Sequence, residues 1–307
     1  MKFMRKKEIL TAVAALTLAG AACSAAGTQD KEQSGVSSVS EESAGISSVE
    51  ENTGADEEKS SSQDTKPTVL TPTPSPEIRY LDGLEGYKAG DVIFDEAVDF
   101  NDLGRYFKSY EISDELFARI YGDDKSYKTY CTVPREDLRY LKLLHYGFDG
   151  KVYVGELMVN TLLADEVCEI FRILFENRYQ IEKMYLIDDY NADDNASIAD
   201  NNTSAFNYRA VTGGTSLSNH AGGCAIDINP LNNPYVLYNE NGELTWSDPE
   251  VEKYLDREAP DAYERHMINH DDLCYKLFAE RGWTWGGDWD NPVDYQHFEK
   301  VVATYNY

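Results

Sequence analysis

Two short stretches of the chain concentrate residue types that can bind a metal and move a proton. The first is Ser218-Asn219-His220-Ala221-Gly222-Gly223-Cys224-Ala225-Ile226-Asp227-Ile228-Asn229. The second begins Trp283-Thr284-Trp285-Gly286-Gly287-Asp288-Trp289 and resumes as Asp294-Tyr295-Gln296-His297-Phe298-Glu299. Together they offer His220, Asp227 and His297, two imidazoles and one carboxylate. A catalytic zinc site uses three such protein ligands and keeps its fourth position for water or substrate. Asp294 is left over, three residues before His297, where it suits a general acid or base. Polar loops are rich in Asp and His, so spacing alone leaves open that these are ordinary loop residues.

The elements that must position these groups can be read from periodicity. From Cys224 onward, Ile226 and Ile228 point one way, and Ala225, Asp227 and Asn229 the other. Such a strand has an apolar back and a carboxylate on its front. Gly222 and Gly223 let the chain bend so that His220 can approach the same point. Small Ala225 leaves room above the strand. Cys224 falls on the apolar side with Ile226 and is expected to pack. Upstream, Ser113 is placed to cap a short helix. Residues 138–146 and 152–159 read as strands joined by Gly147-Phe148-Asp149-Gly150 as a hairpin. Val167, Ile170, Phe171, Leu174 and Phe175 recur at helical spacing within 164–178. A buried strand is expected at 184–187 and a polar loop at 188–202. A second helix is expected at 271–281, ending before Gly282. The expected fold is α+β, a single domain with a mainly antiparallel sheet flanked by helices and a zinc cleft on the sheet.

The two segments resemble the zinc D-Ala-D-Ala carboxypeptidase and L-Ala-D-Glu endopeptidase family. Its motif is Ser-x-His, then Gly-x-Ala-x-Asp, then an acid-x-x-His. Ser218, His220, Gly223, Ala225, Asp227, Asp294 and His297 match it residue by residue. The run from Asn201 to Arg209 is similar to the family segment in which an arginine precedes the first ligand. The resemblance implies that His220, Asp227 and His297 hold zinc. It implies that Asp294 is the base that activates the attacking water and then protonates the leaving amine. Arg209 would stabilise the oxyanion or hold a substrate carboxylate, a task suited to its charged fork. Ser218 would bind substrate or order the loop before His220. The carboxypeptidase branch usually carries Glu where this chain has Asp294. The implied activity is therefore cleavage between L-Ala and D-Glu in peptidoglycan peptides, with D-Ala-D-Ala carboxypeptidase as the alternative.

Two other classes compete. A wall-binding module would share the fold but lack ligands, and none is missing. A purely structural metal site would be closed by four ligands, whereas the set found is three ligands plus an acid. His266 and His270 lie four apart, but Met267 follows the first His where a zincin motif needs Glu. His145, within a strand-like run, is expected to be structural. Among Trp283, Trp285 and Trp289, core packing is the general expectation, with one lining the cleft.

At the other end, Lys2, Arg5, Lys6 and Lys7 precede an apolar run that is shorter than the about 20 residues a membrane span needs. Small Gly20-Ala21-Ala22 then precedes Cys23, a pattern similar to a bacterial lipobox. Residues 1–22 are expected to be a lipoprotein signal peptide, with Cys23 lipidated. Residues 23–77 contain no aromatic residue and are rich in Ser, Glu and Pro, too polar to offset their own ordering entropy. They read as a tether, leaving 78–307 as the peptidase domain. The expected location is the outer face of the bacterial membrane, held by the lipid. A net charge of −27 excludes a nucleic-acid partner, which requires a basic surface. Cys131, Cys168, Cys224 and Cys274 show no CxxC spacing, and export permits disulfides among them.

The lipobox makes a direct prediction. Cys23→Ala should move the protein out of the membrane fraction and abolish acylation. An unchanged membrane fraction would remove the anchor from the account.

Overall fold

A computed structural model describes residues 79–245 and 249–305. The expected signal peptide, Cys23 and the 23–77 tether lie outside the described residues. β1 (Val92–Ile93), β2 (Lys108–Tyr110), β3 (Leu138–Tyr146) and β4 (Val152–Asn160) form an antiparallel sheet in the order β1-β4-β3-β2. β5 (Ala225–Asp227), β6 (Tyr235–Val236), β7 (Thr284–Trp285), β8 (Val293–Asp294) and β9 (His297–Glu299) form two smaller antiparallel sheets, β5-β9-β7 and β6-β8. The helices are α1 (Asp114–Ile120), α2 (Ala164–Glu176), α3 (Asp194–Ala199), α4 (Pro249–Glu252) and α5 (Leu273–Glu280). The expected α+β class and antiparallel pairing hold, with Asp227, Asp294 and His297 on the small sheets. Among the described residues, no helix is long and apolar enough to cross a membrane.

The β3–β4 hairpin is the frame. It pairs without interruption from Leu138↔Asn160 to Tyr146↔Val152, closed by the turn at Gly147–Gly150. The apolar stripe of α2, with Val167, Ile170, Phe171, Leu174 and Phe175, is buried in the core that also holds Leu141, Leu143 and Val154. Phe175 stacks on Tyr146 with ring centroids 4.8 Å apart. Glu156, buried in β4, is paired with Arg119 at 2.7 Å, which offsets the cost of placing a charge there. His145 is structural, as expected. Its Nδ1 lies 2.8 Å from the Ile181 carbonyl, and burial pulls its pKa down to about 4.

Helix ends follow their caps. Ser113 accepts from Leu116 N, Asp193 from Asn195 N and Ala196 N, and Asp272 from Cys274 N. Two expectations fail. Residues 184–187 are not a strand. The Asn202 side chain takes the Tyr185 N–H at 2.8 Å and donates to its carbonyl at 3.1 Å, so an amide replaces the neighbouring strand. Ile187 instead opens a 3-10 turn, Ile187–Tyr190. The loop expected at 188–202 also contains α3. All four described cysteines are free.

The frame touches the small sheets at one tight place. Asn160, the last residue of β4, donates its N–H to Gly223 O at 2.8 Å and its side-chain amide to Gly222 O at 3.1 Å. Gly223 has φ +66°, and a Cβ there would fall 2.5 Å from Asn160 N. Left-handed backbone alone costs a non-glycine residue roughly 1–2 kcal/mol, and here backbone is also in the way. Gly150, at φ +75° with open space around it, provides the comparison. Gly223→Ala should therefore lower the melting temperature clearly more than Gly150→Ala, by at least about 3 °C given 2–4 °C per kcal/mol for a domain of this size. Equal losses in thermal unfolding would show that the contact with β4 is not tight.

Candidate functional site

Three separate chain segments deliver the candidate ligands. Asp227 closes β5 and stands directly opposite His297, the first residue of β9. Opposite residues of an antiparallel pair share a face. The other face carries Ile226 opposite Phe298, both fully buried in the main core. His220 arrives from the 3-10 turn Asn219–Gly222. Ser218 caps that turn, its Oγ accepting from His220 N at 3.3 Å. Of the two tasks considered for Ser218, ordering the loop is visible in the geometry.

The donor atoms converge. His220 Nε2 lies 3.2 Å from Asp227 Oδ2 and 3.2 Å from His297 Nδ1, and His297 Nδ1 lies 3.0 Å from Asp227 Oδ1. Ligands about 2.0–2.1 Å from one tetrahedral ion sit about 3.3 Å apart; the two ring nitrogens have that spacing, and one donor atom from each of the three residues lies within 4.8 Å of the others. All three residues are buried. The outer ring nitrogens are occupied. His220 Nδ1 donates to the Ala205 carbonyl at 2.6 Å, and His297 Nε2 donates to Glu299 Oε2 at 2.9 Å. Each bond sets the tautomer so that the inner nitrogen keeps its lone pair for a cation. Glu299 is steadied by Asn219 Nδ2 at 2.7 Å.

Electrostatics separate the two buried aspartates. Burial by itself would raise Asp227, but the charges and hydrogen bonds of His220 and His297 outweigh it and hold its carboxyl far below the usual range. In Asp294, burial and then the charge of Asp227 outweigh the pull of His297, Gln296 and His220 and push the pKa up to about 6. Its Oδ1 is buried without a hydrogen bond among the described residues. His297 is driven upward, because its bonds to Asp227 and Glu299 outweigh the burial that would lower it. Without an ion these neighbours favour a proton on Nδ1 facing Asp227; a bound cation would displace that proton and take its place.

The Trp-Gly-Gly-Asp-Trp run explains its glycines here. A Cβ on Gly286 would lie 2.5 Å from Asp294 O and 3.2 Å from the His297 Cβ, so this turn packs directly on both residues. Trp283 and Trp285 are core residues, whereas half-buried Trp289 stands beside His297 with ring centroids 5.2 Å apart. Arg209 is placed next to the site by its carbonyl, which accepts from Ser218 N at 3.0 Å. Its side chain is ion-paired with Asp194 of α3. His266 and His270 share no helix face: His266 stacks on Phe148 and His270 pairs with Asp288 at 2.7 Å. The sequence motifs assign no role to Glu299. Its position two residues past His297 on one strand was the signal for its place behind that ring.

Residues 212–300 match the family model described as D-alanyl-D-alanine carboxypeptidase, which bears out the resemblance carried by the motifs. The match spans Ser218, His220, Asp227, Asp294, His297 and Glu299, and begins after Asp194, Ala205 and Arg209. No curated protein and no solved structure matches the chain.

Glu299→Gln retains the shape but loses the charge behind His297. It should weaken zinc uptake by about 10- to 100-fold, the usual effect of losing such an outer partner, as read by competition with a chromogenic chelator. Unchanged affinity would show that Glu299 does not orient His297.

Proposed function

We propose that the chain is a zinc metallopeptidase that hydrolyses peptide bonds in peptidoglycan stem peptides, with the L-Ala-D-Glu bond favoured. The observation that carries this reading is the approach of His220 Nε2, Asp227 and His297 Nδ1 to within 3.2 Å of one another, with Asp294, whose Oδ1 makes no hydrogen bond among the described residues, three residues from His297. His220, Asp227 and His297 hold the ion. Zinc, when bound, polarises the scissile carbonyl and acidifies water. Asp294 takes the proton of the attacking water on its free Oδ1 and returns it to the leaving nitrogen, and its raised pKa suits both halves of that exchange. Arg209 leaves Asp194 to hold a substrate carboxylate or the oxyanion, and Ser218 keeps His220 in place. The Asp at position 294 supports the endopeptidase branch. The description of the matched family supports D-Ala-D-Ala carboxypeptidase as the second reading. A lipid on Cys23 and the tether 23–77 place the enzyme against the wall from the outer membrane face.

Purified peptidoglycan digested with the full-length protein should yield fragments with new D-Glu amino termini by mass spectrometry, whereas release of free D-Ala would move the assignment to the second reading. Asp294→Asn should keep zinc yet lose about 100- to 10,000-fold in rate, and His297→Ala should lose the metal. If both variants shed zinc alike, Asp294 is a ligand and the division of roles fails.

A further inference from the structure

The β6–β8 pair brings a second polar side chain beside Asp294. Tyr235 stands directly opposite Asp294, and Val236 opposite Val293. Opposite residues share a face, with Cβ atoms about 4.5–5.5 Å apart. Val236 and Val293 are buried, while Tyr235 is half-buried and so retains some access to solvent. Among the described residues its hydroxyl has no hydrogen-bond partner. Burial, and then the charge of Asp294, raise its pKa, so the phenol stays protonated and close enough to sense that carboxylate.

The ring is also rigidly based. Pro234 O accepts from Tyr295 N at 3.3 Å, and Asn233 Oδ1 accepts from Ile268 N at 2.8 Å and Arg257 Nη1 at 2.9 Å. Beyond β6, Asn291 bonds Tyr238 through both its N–H and its carbonyl. A donor on so fixed a base needs no reorganisation when a charge forms near it.

We propose that Tyr235 is a catalytic residue of the peptidase reaction, its phenolic O–H donating a hydrogen bond to the scissile carbonyl oxygen as negative charge develops there. The inference rests on the peptidase reading given above. A peptide bond within reach of Asp294 brings its carbonyl within reach of the neighbouring phenol, which faces Asp294 across the β6–β8 pair without any prior rearrangement of Arg209. The proton stays on the phenol throughout; proton transfer belongs to Asp294. A bond made only to the developing oxyanion raises kcat without tightening substrate.

The test compares the full-length wild type and Tyr235→Phe on a defined stem peptide, with zinc content and melting temperature measured on both. The expected result is a kcat lower by about 100- to 1,000-fold, with KM, zinc content and melting temperature unchanged. An equally active Tyr235→Phe, a rise in KM alone, or a loss of zinc or stability would each overturn the role of Tyr235. A wild type that releases no fragment from peptidoglycan would instead overturn the peptidase reading, and this inference with it.

Discussion

Asp227 and His297 face each other across one rung of the β5–β9 ladder, and a slip of one residue would swap them for apolar neighbours. The register is held by the opposite face. Ile226, Ile228 and Phe298 are fully buried there, each contributing roughly 1.5–3 kcal/mol by leaving water. Phe298 stacks on Phe278 of α5 at 4.5 Å. Folding the core and assembling the site are therefore one event: the apolar back drives the pairing, and the pairing brings the polar front together.

Strands of two or three residues do not hold a register alone. The long β3–β4 hairpin supplies the missing support through Asn160, which bonds Gly222 and Gly223 and so fixes the turn that carries His220. Tyr305 joins the same place, bonding Asn160 and Asp137 at 3.0 Å each. Gly286 performs the matching task on the other side, letting its turn close on Asp294 and His297. Gly223 and Gly286 both serve close approach, which is why the motif residues around the candidate ligands are as necessary to the site as those residues themselves.

Two aspartates within one buried site have opposite fates, set by neighbours alone. Asp227 has an imidazole on each oxygen and stays ionised, the state a metal ligand requires. Asp294 is buried under the field of Asp227, which outweighs the pull of His297 and His220, so its proton is held more tightly. Environments that push two carboxyl groups apart in this way mark a division between a fixed charge and a proton carrier. Glu299 completes the set by fixing the ring of His297 from behind.

What was legible in the sequence was local. Period-2 and helical spacing located β3, β4, α2 and α5, because burial of one face imposes those periods on the residues themselves. Alternation after Cys224 correctly placed Asp227 on the front of β5 and Ile226 on its back, and the motif strings pointed to His220, Asp294 and His297. Tertiary structure decided everything that depends on a partner far along the chain. Asn202 replaces a strand beside Tyr185, Asp194 engages Arg209, Glu299 backs His297, and Tyr235 meets Asp294 across 59 positions, the difference between their numbers. No periodicity encodes such pairs, since each is set by how separate elements pack. The residues that hold a charge were thus visible in the string, and the residues that tune it became visible only in the folded chain.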